Sequence, residues 1–239
     1  MIAVATLELE TAVLATTPYR HIAGIDEAGR GALAGPVAAA AVILPLNNPL
    51  ALIELQEVND SKQLTAHMRE RLFGRITRYA LAYGIGLEPA EVIDEVGIMA
   101  ATKRAMGTAV AQLNPAADYL LIDGRIRLQT IPLPQQAVVR GDALSLSIAA
   151  ASILAKVTRD RLMVELDPFY PQYNFQQHKG YGTTQHLAAL ARFGPCPVHR
   201  HSFAPIKRPL LPNTGRFGGI LLLPTGRKNA LFIWRLSKS

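Results

Sequence analysis

Cysteine is almost absent from the sequence, since Cys196 is the only one in 239 residues. A single thiol excludes an internal disulfide framework and a zinc module built from several cysteines. Long apolar runs are also missing: the best candidate, residues 217–224, falls far short of the roughly 18 residues that span a bilayer. No lysine or arginine precedes Arg20, so we expect no secretory signal, no membrane span and a cytoplasmic location.

Acidic residues are outnumbered, with 18 aspartates and glutamates against 25 lysines and arginines and a formal net charge of +7. Such an excess is typical of proteins that meet a polyanion, although it also serves solubility alone. Hydrophobic residues make up 49% of the chain, which is enough to bury a core without disulfides. Any functional carboxylates therefore act within a positive surrounding, an arrangement suited to an enzyme that cuts nucleic acid.

Apolar runs that end in acids alternate with helical patterns along the chain. Residues 21–26 and 118–123 (HIAGID and DYLLID) are predicted strands, and residues 37–44 form an apolar run typical of a buried strand. A strong helix is predicted at 147–166. This alternation favours an α/β sheet with helices packed on it.

Composition divides the chain into three predicted parts. Residues 1–19 are a poorly specified leader, residues 20–208 form one α/β domain, and residues 209–239 are a loosely attached tail. The tail is set apart by its prolines, glycines and leucine-rich patch.

Acids lie at or just beyond the ends of three predicted strands. Asp26 and Glu27 follow the first, Asp123 ends the second, and Asp142 follows the third, at residues 136–140. Taken singly, each has an ordinary explanation as a solvated strand end, a turn residue or a charge at a helix N-terminus. Taken together, the four carboxylates would form a cluster of the kind that holds two Mg²⁺ or Mn²⁺ ions for phosphoryl displacement.

Two glycines flank Arg30 directly after the first pair of acids. Gly29 and Gly31 permit close approach of a ligand to the backbone, which could read a ribose 2′-hydroxyl, and Arg30 offers a fork to a phosphate. The rival interpretation is a dinucleotide-binding fingerprint. We reject it because the third glycine, Gly35, comes one residue late and the preceding acids would repel a pyrophosphate.

Two further motifs are candidates for contact with nucleic acid. Ser61 and Lys62, near a predicted helix start, offer a hydroxyl and an ammonium to a phosphate, with helix capping as the alternative. Tyr181 lies between two glycines and could stack on a sugar or base, or instead anchor its loop to the core.

Several other polar residues are expected at the surface. His199 and His201 would otherwise suggest a metal site, but the single cysteine and the strand-end acids argue against one. One solvated face of the helix at 147–166 is predicted to carry Lys156, Arg159 and Asp160.

The order of these motifs resembles the type 2 ribonuclease H family, the bacterial ribonuclease HII proteins. The resemblance covers about residues 20–208. Its motifs are the opening IAGIDEAGRGALAGP at 22–36, NDSKQL at 59–64, LLIDG at 120–124, RGD at 140–142, ASILAKVTRD at 151–160 and HKGYGT at 178–183.

This resemblance implies a ribonuclease H-like fold: a mixed five-stranded sheet flanked by helices, with a helical C-terminal region. It implies that Mn²⁺ or Mg²⁺ is bound by four catalytic acids: Asp26, Glu27, Asp123 and Asp142. It implies that Tyr181 packs on the deoxyribose after the ribonucleotide. The other substrate-binding residues it implies are Gly29, Arg30 and Gly31 at the 2′-hydroxyl, with Ser61 and Lys62 at a phosphate.

The resemblance further implies a monomeric endonuclease that acts on RNA–DNA hybrids and on duplex DNA containing ribonucleotides. Such an enzyme would cut 5′ to a ribonucleotide, leave a 3′-hydroxyl and a 5′-phosphate, and serve RNA degradation and ribonucleotide excision repair. Two other classes stay open from the residues alone. One is a different metal-dependent nuclease on the same fold, and the other is a nucleic-acid-binding module without catalysis.

Overall fold

A computed structural model describes residues 5–206 as a central β-sheet with helices on both faces, and the predicted tail at 209–239 lies outside this range. The strands are β1 (Ile22–Ala28), β2 (Val37–Ile43), β3 (Ala82–Glu88), β4 (Tyr119–Asp123) and β5 (Gln135–Val138). They form one sheet in the order β3-β2-β1-β4-β5. Because β1 is antiparallel to β2 but parallel to β4, the sheet is mixed, and the predicted architecture is confirmed.

The described residues form helices α1 (Glu8–Thr16), α2 (Pro49–Glu54), α3 (Ala66–Tyr79), α4 (Ala90–Val96), α5 (Ile98–Ala111), α6 (Leu146–Leu166), α7 (Phe175–His178) and α8 (Thr184–Phe193). Thr65 caps α3, since its side chain accepts a hydrogen bond from the Met68 amide. None of these helices has the length and apolarity that crossing a membrane requires.

β2 is buried along its whole length because both faces of the sheet are covered. Its side chains alternate between two apolar clusters. Ala40 and Val42 pack in the cluster that contains α6, whereas Ala39 and Ala41 pack in the cluster that contains α5. The continuous apolar run at 37–44 is therefore the pattern of a strand without a solvent face.

Glycines let these two helices approach the sheet. A Cβ atom at Gly24 of β1 would lie 2.1 Å from the backbone carbon of Ser147, and one at Gly86 of β3 would lie 1.9 Å from the carbonyl oxygen of Ala105. No side chain fits at such distances, so α6 and α5 pack directly on strand backbone. This close packing fixes the start of α6, and with it the segment that carries Asp142.

The segment predicted as a leader contains α1, whose Glu10 is fully buried. Glu10 Oε1 accepts hydrogen bonds from Ser145 Oγ at 2.6 Å, Ser147 N at 2.9 Å and Ser147 Oγ at 2.6 Å. Thr6 forms two backbone hydrogen bonds with the same stretch of chain. These contacts tie α1 to the N-terminal end of α6.

Candidate active site

Three of the predicted acids meet at the carboxyl ends of neighbouring parallel strands. The β1–β4 register pairs Ile25 with Ile122, so the next residues, Asp26 and Asp123, lie level with each other. Asp142 follows β5 in a short 3-10 turn, Gly141–Ala143. One carboxylate oxygen from each of Asp26, Asp123 and Asp142 lies within 4.8 Å of the other two.

Hydrogen bonds hold Asp123 and Asp142 in place. The Gly141 amide donates to Asp123 Oδ1 at 2.7 Å, which ties the turn after β5 to the end of β4. Lys62 Nζ donates to Asp142 Oδ2 at 2.8 Å. The predicted phosphate-contacting lysine therefore lies at the edge of the acid cluster.

Glu27 lies beside this cluster but outside the group of three. Successive side chains of a strand point to opposite faces, which turns Glu27 away from Asp26. Its Oε1 accepts from Arg30 Nη1 at 2.9 Å, while its buried Oε2 has no hydrogen-bond partner within residues 5–206.

Burial and mutual repulsion make these carboxylates hard to ionise. Burial, and then the charges of Glu27 and Asp123, hold the pKa of Asp26 well above its usual value. Burial and the charge of Asp142 raise the pKa of Asp123. Burial also raises the pKa of Glu27, against the opposing effect of Arg30. A divalent cation would remove this repulsion, and an all-oxygen donor set suits Mg²⁺ or Mn²⁺.

The Gly29–Gly31 segment leaves β1 over a buried arginine. Gly29 has φ +91°, and a Cβ atom there would lie 1.9 Å from Arg159 Nε. Arg159 is fully buried and donates to the carbonyl oxygens of Pro36 at 2.9 Å, Lys179 at 2.9 Å and Ala34 at 3.0 Å. The prediction of a solvated face for Arg159 is wrong, because its guanidinium satisfies backbone carbonyls of two distant segments.

Tyr181 lies on the far side of the same guanidinium. Its ring centroid is 5.2 Å from Arg159 Cζ and 5.5 Å from Lys156 Nζ. The Leu33 amide also donates to the Gly180 carbonyl at 2.8 Å, which joins the chain after Gly31 to the chain before Tyr181. The two segments predicted to recognise the sugar are therefore neighbours in space.

Comparison with known proteins identifies the family. The Ribonuclease HII family model matches residues 23–206. This chain belongs to the ribonuclease HII family. It is 56% identical over 185 residues to the ribonuclease HII of Ruminiclostridium cellulolyticum, covering 77% of this chain and 70% of that protein. It is 54% identical over 196 residues to that of Geobacter metallireducens, covering 81% and 88%.

Solved structures of related ribonucleases share the fold. The ribonuclease H2 of Pyrococcus horikoshii aligns with a TM-score of 0.66 at 25% identity, over 78% of this chain and 95% of that one. A ribonuclease HIII named Bst-RNase HIII, solved in complex with Mn²⁺, aligns with a TM-score of 0.56 at 18% identity, over 72% and 70%.

Membership of the family establishes the activity. The protein is a ribonuclease H, a divalent-metal-dependent endonuclease that hydrolyses RNA in RNA–DNA hybrids. The binding module without catalysis, left open by the residues alone, is thereby excluded, and so is a different nuclease on the same fold.

Two buried residues of this ribonuclease HII were missed by sequence reasoning. Arg200 is fully buried and donates to the carbonyl oxygens of Gly35 at 3.1 Å and Arg30 at 3.0 Å. His199, predicted at the surface, is also fully buried, and its ring contacts His186 and Cys196. The surface prediction for His199 is wrong because the ring finds hydrogen-bond partners inside the protein.

Proposed function

We propose that this ribonuclease HII uses Asp26, Glu27, Asp123 and Asp142 to bind Mn²⁺ or Mg²⁺ and to cut the phosphodiester 5′ to a ribonucleotide. The approach of three carboxylate oxygens to within 4.8 Å of one another carries this proposal. The raised pKa values of Asp26 and Asp123 and the unpartnered oxygen of Glu27 fit a site completed by a cation.

The bound metal would supply the charge that activates a water molecule and stabilises the leaving 3′-oxygen. The residues of the chain would fix the position of the metal. Asp26 and Asp123 are fixed by strand register, and the Gly141 amide orients the Asp123 carboxylate. The ammonium of Lys62, now on Asp142, stands where it can neutralise a phosphate oxygen of the strand that is cut. Ser61 is buried at the start of the same turn, where its amide donates to Ser152 Oγ at 3.3 Å.

Recognition of the ribose is assigned to Gly29, Arg30, Gly31 and Tyr181. A Cβ atom at Gly31 would meet no atom within 4 Å, so the backbone there is open to a ligand. Backbone groups can both donate to and accept from a 2′-hydroxyl, which is the feature that separates RNA from DNA. Tyr181 lies next to this backbone and offers a ring face to the following sugar.

This arrangement supports cleavage at single ribonucleotides in duplex DNA as well as in RNA–DNA hybrids, by a monomeric enzyme. The test is a labelled DNA duplex with one ribonucleotide, incubated with Mn²⁺, with Mg²⁺ or with chelator. We expect one metal-dependent cut that leaves a 3′-hydroxyl and a 5′-phosphate. An all-deoxy duplex of the same sequence is the control. Cleavage of that control, or a 2′,3′-cyclic phosphate product, would contradict the proposal.

A further inference from the structure

Three buried histidines lie in or against the loop that carries Tyr181, here called the Tyr181 loop (residues 178–183). His186 and His199 are fully buried, and His178 is 7% exposed. Their Nε2 and Nδ1 atoms contact one another, backbone groups or the Cys196 thiol. No acid contributes to the hydrogen bonds described for these rings, in contrast to the cluster at the strand ends.

The hydrogen bonds assign one tautomer to His199 and His186. His199 Nδ1 accepts from the Cys196 amide at 2.9 Å, so the proton of a neutral ring lies on its Nε2. That Nε2 lies 2.9 Å from His186 Nε2, which must then accept. The proton of His186 therefore lies on Nδ1, which donates to the Tyr181 carbonyl oxygen at 3.0 Å.

His178 is fixed in the same way at the start of the loop. Its Nδ1 accepts from the Gly180 amide at 3.2 Å, so its Nε2 carries the proton and donates to the Tyr173 carbonyl at 2.7 Å. Its ring stacks on His186 with 4.4 Å between the centroids. Imidazole rings therefore hydrogen-bond the backbone at both Gly180 and Tyr181.

The surroundings favour the uncharged rings. Tyr173 and Phe175 pack on His199 and His186, and the nearby Cys196 has its thiol pKa raised by burial to about 11. Burial and the neighbouring His186 lower the pKa of His199 to about 4. A proton added to His186 Nε2 would face the N–H of His199 at 2.9 Å, and a proton added to His199 Nδ1 would face the Cys196 amide N–H at 2.9 Å.

We propose that His199 and His186 form a directed hydrogen-bond relay from the Cys196 amide to the Tyr181 carbonyl, and that they act as positioning residues for cleavage next to a deoxyribose. The inference rests on the sugar-packing role proposed above for Tyr181. The relay fixes the backbone at the residue whose ring must meet the sugar. It makes no contact with the metal-binding acids, so it should affect substrate choice more than the chemical step.

The tautomers are tested directly on the full chain by long-range ¹H–¹⁵N correlation of the imidazole rings at pH 7.5. We expect His199 protonated on Nε2 and His186 on Nδ1, both neutral. Either ring charged, or His186 protonated on Nε2, would overturn the relay. This measurement needs no substrate, so it is independent of any role of Tyr181.

The positioning role is tested with His186→Leu, which removes both hydrogen bonds, and His186→Asn, whose amide can replace the donor to Tyr181. We expect His186→Leu to lower kcat/KM about tenfold on a single-ribonucleotide duplex, as befits the loss of the hydrogen bond that holds the Tyr181 carbonyl, and to change cleavage of an RNA–DNA hybrid much less. His186→Asn should restore most of the loss. His201→Asn, which alters an exposed ring nearby, is the matched control.

Two outcomes would overturn the positioning role: equal loss on both substrates, or no rescue by His186→Asn in a variant that melts like the parent protein. Tyr181→Ala is measured in parallel. If it cuts single ribonucleotides normally, the proposed role of Tyr181 fails, whereas the relay itself still stands or falls by the tautomers. If His186→Leu does not fold, His186→Asn is compared with the parent protein instead. The positioning role then requires that His186→Asn keep the parent's preference between the two substrates.

Discussion

The acid cluster and the support of the Tyr181 loop solve the burial of polar groups in opposite ways. At the strand ends, carboxylates of one charge are held together by sheet register, and they repel one another until a cation is present. Under Tyr181, neutral imidazoles match each donor with an acceptor. The first region leaves its repulsion uncompensated within the described residues, whereas the second pairs its donors and acceptors within the chain.

This difference separates the two tasks of the enzyme. Repulsion among fixed carboxylates favours the binding of a divalent ion, because the folded sheet prevents the acids from moving apart. Directed hydrogen bonds between uncharged groups favour one loop conformation, which is what discrimination between two sugars requires. Each of the following changes should affect one region and spare the other.

The largest effect is expected for Asp26→Asn. Loss of one metal-binding charge should lower Mn²⁺-dependent cleavage by at least about a thousandfold, since several kcal/mol of charge stabilisation are lost. The metal-free variant should melt at a higher temperature than the parent, because one repelling charge is gone. Glu95→Gln, which alters an exposed acid of α4, is the control. Normal turnover at saturating Mn²⁺ would rule out Asp26 as a ligand.

A smaller and more selective effect is expected for Tyr181. Tyr181→Ala should lower cleavage at a single ribonucleotide about tenfold, in line with the loss of one stacking contact. Tyr181→Phe keeps the ring and should retain most activity. Kinetics on single-ribonucleotide and hybrid substrates measure the difference. If Ala and Phe reduce cleavage equally, the ring face is not the recognition element.

Gly29 and Gly31 offer a matched pair in the segment between the two regions. Gly29→Ala places a Cβ against Arg159 at φ +91°, and should cost about 1–3 kcal/mol in the free energy of unfolding. Gly31→Ala meets no protein atom, so the fold should melt unchanged while cleavage falls several-fold, through obstruction of the sugar. Denaturant unfolding and cleavage assays separate the two. Full activity of Gly31→Ala would argue against backbone recognition at that residue.

In the presence of chelator, the two regions should change the stability of the folded protein in opposite directions as the pH falls. The pKa of His199 is about 4 in the folded protein against an ordinary 6.5, so the unfolded chain binds the proton first and stability falls as the pH drops from 6.5 to 4. The raised pKa values of Asp26 and Asp123 act the other way, since the folded chain then binds protons more readily.

Denaturant unfolding at several pH values measures this contrast. His199→Gln should lose less stability than the parent between pH 6.5 and 4. Asp26→Asn should lose more, because the compensating acid is gone. Two variants with the parent's pH dependence would show that neither region governs acid stability.

The sequence predicts those parts of the molecule whose pattern is local. The apolar runs at 21–26 and 118–123 predict β1, which carries Asp26, and β4, which ends at Asp123. Arg159 and His199 were misjudged because their partners lie far away along the chain or in a turn without periodicity. The sequence does not show whether a charged or polar side chain forms its hydrogen bonds with a buried carbonyl group or with water.

The hydrogen bonds between Glu10 of α1 and the start of α6 bear on how far the N-terminus of the enzyme can be shortened. A shortened chain that began at residue 20 would keep every group assigned to chemistry or recognition, yet Ser145 and Ser147 would lose the carboxylate that accepts their hydrogen bonds. Those two serines start the helix that directly follows Asp142. The stretch with the weakest sequence signature thus supports the segment that carries Asp142, one of the acids proposed to bind the metal.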